Sequence, residues 1–177
     1  FSYQGEPSRH RQGTPRGEPS GHLPPAAFVN FLQTHDQVGN RALGERLTQL
    51  AKPKAVRASI AILMLAPQPP LLFMGQEWGS SATFPFFCDF GPDLAMLVTE
   101  GRRREFARFP AFRDTVMTRI PDPNDPTTFA NAVLNWNELE HVEHREWLDL
   151  HRDLLVLRKQ KIAPWLGKIS GGQGRFR

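Results

Sequence analysis

The sequence has 177 residues, of which 40% are hydrophobic and 23% charged, and its net charge is +4 at pH 7. This composition is that of an ordinary globular protein and excludes collagen-like, coiled-coil and fully disordered chains. The length allows one domain, or one domain with part of another. A single cysteine, Cys88, excludes an internal disulfide and favours a reducing compartment.

The amino-terminal residues are predicted to form a loop. Residues 5–25 contain nine glycines or prolines, a density at which we expect no regular helix or strand. Long ordered loops are often functional, and the alternative is a flexible linker. Residues 1–25 lack the continuous apolar run of a signal peptide, and the longest apolar run, residues 60–66, is too short to span a bilayer. We therefore expect a cytoplasmic location.

Two short apolar runs with a helix between them predict a βαβ unit. Residues 28–32 are aromatic and β-branched and predict a buried strand. Residues 41–50 are expected to form a short helix, and residues 55–65 a helix that is apolar on nearly every face and therefore buried. Residues 71–74 predict the second strand. In such a unit the strands run parallel, and their carboxyl ends meet at the edge where ligands bind.

The second half of the chain is predicted to be mainly helical. Residues 84–90 are aromatic and bounded by proline and glycine, which favours a packed loop. Helices are expected over residues 94–109 and 144–161, the latter with apolar residues spaced three and four apart. Between them, residues 121–128 are rich in proline, aspartate and asparagine and predict a turn.

Polar residues follow both predicted strands and are the first candidates for chemistry. His35 and Asp36 follow the first strand, where a carboxylate beside a histidine can hold sugar hydroxyls, stabilise a cation or orient a base. The alternative for Asp36 is a helix N-cap or a loop hydrogen bond. Glu77 follows the second strand and could form a glycosidase pair with Asp36. The interpretation we prefer for Glu77 is a buried ion pair with an arginine such as Arg41.

Three further groups of residues have both a functional and a structural interpretation. Trp78 and the phenylalanines of residues 84–90 could stack on sugar rings, although such clusters more often form core. The arginines at residues 102–104 could contact phosphate, although a solvated helix face is the interpretation we prefer. His141 and His144 lie among glutamates, but the HExxH order of a zinc site is absent.

Several motifs resemble the α-amylase family, glycoside hydrolase family 13. Residues 31–41 resemble the motif after the seventh barrel strand of that family, and residues 72–78 resemble the motif on its eighth strand. Further stretches make the combination similar to one group of α-amylase relatives, the malto-oligosyltrehalose trehalohydrolases. These stretches are residues 44–47, 86–90, 101–106 and 134–136. The resemblance covers most of residues 1–165.

The resemblance implies a retaining (β/α)8 barrel glycosidase that hydrolyses the α-1,4 bond next to the terminal trehalose of malto-oligosyltrehalose. Asp36 matches the carboxylate that stabilises the transition state, and His35 matches a residue that binds sugar hydroxyls. Gln37 and Arg41 would also bind substrate. The chemistry needs no metal and no cofactor, and the expected partner is a malto-oligosaccharide that ends in trehalose, with no nucleic acid and no membrane.

The match to the family also has departures. Thr34 stands where the family usually has asparagine, which could alter how His35 is held. Glu77 and Trp78 would be structural residues or lie at the rim of the substrate site. No stretch matches the motifs that carry the nucleophile and the acid/base on the fourth and fifth strands. We therefore expect a carboxyl-terminal fragment of the enzyme that is inactive alone.

The expected domain organisation follows from the same resemblance. Residues 1–27 would lead into the barrel, and residues 28–162 would form the carboxyl-terminal part of the barrel, about its seventh and eighth βα units. Residues 163–177 would begin a carboxyl-terminal β domain or form a disordered tail. Two alternatives stay open: another amylase relative such as a glucan-branching enzyme, and a basic module that binds nucleic acid through residues 102–104 and Arg108.

Overall fold

The computed structural model describes residues 4–109 and 120–172, which form a mixed arrangement of short strands and helices. The strands are β1 (Gln4–Pro7), β2 (Pro15–Gly17), β3 (Asn30–Phe31) and β4 (Pro70–Leu71). The α-helices are α1 (His35–Gly39), α2 (Leu47–Leu50), α3 (Pro53–Leu65), α4 (Pro92–Phe106), α5 (Pro126–Ala132) and α6 (Val142–Leu157). Short 3-10 helices span Arg9–Arg11, Pro25–Ala27, Trp136–Glu140 and Ala163–Lys168, and a π-helical turn spans Arg158–Ile162.

The predicted βαβ unit is present, with β3 and β4 paired in parallel on either side of α3 in the chain. The register places Asn30 opposite Pro70 and Phe31 opposite Leu71. The order and direction of the unit are thus confirmed, but the strands are shorter than predicted. The expectation of a buried first strand is wrong, since Phe31 is 43% exposed. Within the described residues this sheet has only two strands, so little covers its apolar side chains.

Helix α3 provides the main hydrophobic core. Pro53 begins the helix, where a proline is tolerated because the first N–H groups have no intrahelical acceptor. One face is buried and recurs at helical spacing, namely Val56, Ile60, Leu63 and Met64. Leu154 of α6 packs against this face, together with the partly buried Trp147 and Leu150. Both predicted helices are therefore confirmed, although α3 is buried on one side only, with Ile62 exposed.

A buried arginine, Arg158, donates hydrogen bonds at the carboxyl end of α3. The Arg158 guanidinium donates to the carbonyl oxygens of Met64 at 2.9 Å and Gln68 at 3.0 Å, and also to those of Ala66 and Pro67. The last carbonyls of a helix have no intrahelical donor. Arg158 supplies that donor from the end of α6, so it joins the two helices by hydrogen bonds as well as by apolar contact.

The amino-terminal segment contains a β-hairpin that was not predicted. Strands β1 and β2 pair antiparallel with an irregular register. Gly5 and Gly13 have φ angles of 100° and 84°, which glycine adopts without steric cost. The side chain of Gln4 accepts a hydrogen bond from the Ser20 amide at 2.7 Å, which ties the hairpin to the following chain. The expectation of no regular element in residues 5–25 is therefore wrong.

The chain between β3 and α3 also differs from the prediction. Residues 41–46 are not helical, and only α1 and α2 form short helices on either side of them. The reason is a turn at Gly44, where φ is 66° and an added Cβ would lie 2.2 Å from the backbone nitrogen of Pro85. Gly44 also accepts a hydrogen bond at its carbonyl from the Phe84 amide at 2.8 Å.

The second half of the chain agrees more closely with the predictions. Residues 84–90 have no regular structure, and α4 lies within the predicted range of 94–109 except for its earlier start at Pro92. The turn predicted over residues 121–128 is correct only in its first part, because Asp125 caps α5. None of the helices in residues 4–109 and 120–172 is long and apolar enough to cross a membrane.

Candidate active site

The candidate residues His35, Asp36 and Gln37 form the first turn of α1, which begins after residues 32–34 that follow β3. Thr34 is the N-cap residue, and its hydroxyl accepts a hydrogen bond from the Gln37 amide at 3.4 Å. Threonine suits this position because its side-chain oxygen satisfies an amide that has no acceptor within the helix. Asp36 is therefore not the N-cap, and its carboxylate is left for other contacts.

The side chains of the two main candidates, His35 and Asp36, point into solvent. Those of His35 and Asp36 are 76% and 79% exposed, with His35 Nε2 3.7 Å from Asp36 Oδ1. Buried polar groups normally need hydrogen-bond partners in the protein, whereas groups this exposed are satisfied by water. Their exposure makes both side chains accessible to a polar ligand at the carboxyl end of β3.

Arg41 and Glu77 do not form the ion pair that we preferred. Arg41 Nε lies 3.2 Å from Glu45 Oε2, within the same loop. Glu77 lies in the segment that follows β4, where it is half-buried and near Arg46. Burial lowers the pKa of the Arg46 guanidinium, and the carboxylates of Glu138 and Glu77 partly offset this effect. The predicted Glu77–Arg41 pair is thus wrong, because Arg41 pairs with Glu45, which is nearer to it in the sequence.

Arg102 of α4 reaches the carboxyl end of α1. Its Nη2 donates to the carbonyl oxygen of Gly39 at 3.1 Å and to that of Arg41 at 3.3 Å. The guanidinium carbon lies 4.9 Å from the ring centroid of Phe86 and 5.2 Å from that of Phe106. Burial lowers the pKa of Arg102, while Glu105 opposes the shift.

The prediction that the arginines at residues 102–104 lie on a solvated helix face is therefore correct for two of the three. Arg103 and Arg104 are exposed. Arg102 is half-buried and bonded to backbone carbonyls of another element, so it serves the fold around α1.

Several side chains after β4 are buried, in contrast to the exposed first turn of α1. Trp78 is 2% exposed, and its indole N–H donates to Glu138 Oε2 at 3.1 Å. The Ser81 amide donates to Glu138 Oε1 at 3.0 Å, and the Ser81 hydroxyl donates to the same oxygen. Burial alone would raise the pKa of Glu138, but the hydrogen bonds from Ser81 and Trp78 lower it to about 2. The structural interpretation of Trp78 therefore fits its position.

A second buried charge, Arg46, was not predicted from the sequence. Arg46 is 1% exposed, and its guanidinium donates to the carbonyl oxygens of Met74 at 2.8 Å and Ala82. It lies 5.1 Å from the ring centroid of Phe73. Arg46 ties the start of α2 to the segment after β4. Because backbone carbonyls accept its hydrogen bonds, no partner residue could be identified from sequence pattern.

The aromatic residues after β4 mainly contact one another. Ring centroids are 5.1 Å apart for Phe73 and Phe84, 5.5 Å for Phe84 and Phe87, and 5.3 Å for Phe87 and Phe129. All three pairs are edge-to-face, the arrangement that aromatic quadrupoles favour. Phe84, Phe86 and Phe87 are half-buried, whereas Phe90 and Phe129 are 43% and 56% exposed, so these rings pack on one another without forming a fully buried core.

The two histidines near α6 have structural contacts. His144 Nδ1 lies 2.8 Å from the carbonyl oxygen of Trp78, and the His141 and His144 ring centroids are 6.4 Å apart. Across residues 4–109 and 120–172, no three His, Cys, Asp or Glu side chains converge so as to hold a metal ion.

Comparison with known proteins covers most of the chain. A protein of Deinococcus radiodurans is 46% identical over 145 residues, which are 82% of this chain and 24% of that protein. A Mycobacterium tuberculosis protein is 39% identical over 91% of this chain and 27% of its own length. A Saccharolobus solfataricus protein is 35% identical over 99% of this chain and 28% of its own length. All three are named malto-oligosyltrehalose trehalohydrolase.

The chain is homologous to the malto-oligosyltrehalose trehalohydrolases. It spans about a quarter of the length of these relatives. A crystal structure from Salmonella typhimurium, of a protein provisionally described as an alpha amylase, matches with a TM-score of 0.85 and 48% identity. That match covers 94% of this chain and 27% of the other. No protein-family model matches the chain. The resemblance to trehalohydrolases and amylases is confirmed.

Proposed function

We propose that this chain is part of a retaining glycosidase that hydrolyses the α-1,4 bond next to the terminal trehalose of malto-oligosyltrehalose and releases trehalose. The observation that carries the proposal is the 35–46% identity to relatives that all bear the trehalohydrolase name. The parallel β3–α3–β4 unit supports it, because a strand, a helix and a parallel strand form the repeating unit of a (β/α)8 barrel.

In this proposal β3 and β4 are the seventh and eighth barrel strands. Residues 28–162 form the carboxyl-terminal part of the barrel, residues 1–27 lead into it, and residues 163–177 begin a carboxyl-terminal domain. The outermost residues, 1–3 and 173–177, lie outside the described part of the chain. Exposure of Phe31 and Leu71, at 43% and 42%, supports the barrel, since strands and helices of a closed barrel would cover such side chains.

Asp36 is the proposed transition-state carboxylate. Its position at the carboxyl end of a parallel strand is where barrel enzymes carry their catalytic groups. A fixed negative charge there stabilises the positive charge that develops on the sugar ring as the glycosidic bond breaks. His35, Gln37 and Arg41 are proposed to bind sugar hydroxyls beside it. Parts of the protein outside these residues supply the nucleophile and acid/base.

The test is an assay of trehalose release by the complete polypeptide. Malto-oligosyltrehalose is the substrate, and a malto-oligosaccharide of equal length without the trehalose end is the control. We expect trehalose from the first and no comparable cleavage of the second. Formation of α-1,6 branches would favour a glucan-branching enzyme instead, and tight, salt-sensitive binding of duplex DNA without hydrolysis would favour a nucleic-acid module. Residues 1–177 alone should release no trehalose.

A further inference from the structure

Helix α1 needs support from outside itself. It has five residues, and a helix this short does not persist in water by its own hydrogen bonds. Its exposed first turn carries His35 and Asp36, whose side chains contribute little packing, and its one buried side chain is that of Val38, 2% exposed. At its amino end the Thr34 cap bonds only to α1 itself. At its carboxyl end, hydrogen bonds from a different element add to the packing of Val38.

These hydrogen bonds come from Arg102 and depend on the shape of its side chain. The guanidinium donates to two backbone carbonyls, those of Gly39 and Arg41, at the carboxyl end of α1 and just beyond it. It also lies against the rings of Phe86 and Phe106, which hold it in place. A planar guanidinium can bond and stack at the same time, whereas the ammonium of lysine is a compact point charge without a plane.

We propose that Arg102 is a positioning residue for the active site, which places His35 and Asp36 by fixing the carboxyl end of α1. Arg102 lies on α4, 63 residues after Gly39 in the chain, so the placement of α1 is coupled to that helix. Transition-state stabilisation by Asp36 requires accurate geometry, and a displacement of about 1 Å can cost roughly 100-fold in rate. The effect on turnover rests on the proposed function, while the effect on α1 does not.

The experiment compares three variants of the complete polypeptide. Arg102→Ala removes the bonds and the stacking, Arg102→Lys keeps the charge, and Arg104→Ala is the matched control on the exposed face of α4. For Arg102→Ala we expect kcat to fall about 10- to 100-fold with KM changed less than about threefold. For Arg102→Lys the logarithm of kcat should fall by at least half as much as for Arg102→Ala. Arg104→Ala should keep the kcat and KM of the wild type.

A second measurement separates positioning from general destabilisation. Amide hydrogen exchange should accelerate for Asn40 and Arg41, whose amides bond to the carbonyls of Asp36 and Val38 at 3.0 and 3.1 Å. Exchange in α3 should stay unchanged. If Arg102→Ala does not fold, Arg102→Lys decides the question, with slower turnover and faster α1 exchange expected.

Two results would overturn the proposal. One is a kcat for Arg102→Ala and Arg102→Lys equal to that of Arg104→Ala. The other is α1 exchange in both Arg102 variants equal to that of the wild type. If the wild type itself releases no trehalose, the proposed function fails, and hydrogen exchange alone then decides whether Arg102 positions α1.

Discussion

The segments that follow the two parallel strands occupy equivalent places in the fold but have opposite surroundings. After β3, the side chains of His35 and Asp36 are 76% and 79% exposed. After β4, Trp78 and Ser80 are 2% and 0% exposed. Ligands of parallel sheets bind beyond the carboxyl ends of strands, and the ionisable side chains exposed there, His35 and Asp36, belong to the first segment. A position beyond the carboxyl end of a strand is therefore not sufficient to make a residue part of the site.

The two segments also differ in what holds them. The second segment has its own buried network, in which Glu138 accepts hydrogen bonds from Trp78 and Ser81. The first is held by the buried side chain of Val38 and, through its backbone, by Arg102. Substitution of side chains in the first segment should therefore change activity with little effect on stability. Substitution in the network of the second should do the reverse.

The largest effect is expected for Asp36→Asn in the complete polypeptide. Loss of the negative charge should lower kcat about 10²- to 10³-fold, because asparagine keeps the size but cannot stabilise a developing cation. The free energy of unfolding should change by less than about 0.5 kcal/mol, as is usual at exposed sites. Steady-state kinetics and urea denaturation check both parts. Near-normal turnover would remove Asp36 from the proposed role.

Glu138→Ala should give the opposite result. It leaves the buried Trp78 indole N–H and the partly buried Ser81 amide without their acceptor, and an unsatisfied buried donor costs about 1–3 kcal/mol. We expect the free energy of unfolding to fall by about 3 kcal/mol while the folded fraction keeps its kcat. Urea denaturation measures the loss against Glu140→Ala, a matched change at an exposed glutamate nearby. Equal stability of the two variants would contradict the role of the network.

The same carboxylate should make stability depend on acid pH. The pKa of Glu138 is lowered in the folded protein to about 2 from its ordinary value of 4.5. A lowered folded-state pKa gives stabilisation that is complete above pH 4.5 and is lost as the pH falls towards 2. The total is about 3 kcal/mol. Unfolding measured across this range should show the loss, and Glu138→Gln should show a flatter profile. Parallel profiles would show that another group dominates.

His35→Ala is expected to act mainly on KM. A bond to a sugar hydroxyl that is present in both the ground state and the transition state contributes to binding rather than to kcat. Loss of one such bond, worth about 1 kcal/mol, corresponds to a KM roughly fivefold higher. Initial rates over a range of substrate concentrations separate the two constants. A fall confined to kcat would assign His35 to the transition state as well.

The smallest effect is expected for Glu77→Gln. Glu77 does not pair with Arg41, whose partner is Glu45, so the substitution removes only a more distant interaction with Arg46. The free energy of unfolding should change by about 0.5 kcal/mol or less, and kcat should be unchanged. Thermal denaturation and trehalose release test this expectation. A large loss of turnover would place Glu77 among the site residues instead.

The parts of the fold that could be predicted depend on local pattern. The βαβ order and helices α3, α4 and α6 follow from apolar runs and helical periodicity, which neighbouring residues specify. The hairpin at residues 4–17 was missed because glycine and proline indicate loops without specifying which strands pair. Arg46 was missed because its acceptors are backbone carbonyls of Met74 and Ala82, far along the chain. The roles of Asp36 and His35 come from the family resemblance and stay predictions.

The hydrogen bonds of Arg158 can form only late in the synthesis of the chain. Arg158 lies 94 residues after Met64, the first carbonyl it bonds. At about 5–20 residues per second, a ribosome adds Arg158 roughly 5–20 s after Met64. Throughout that interval the Met64 carbonyl lacks this donor. The hydrogen-bonded junction between α3 and Arg158 can therefore form only after the whole strand–helix–strand unit has been synthesised.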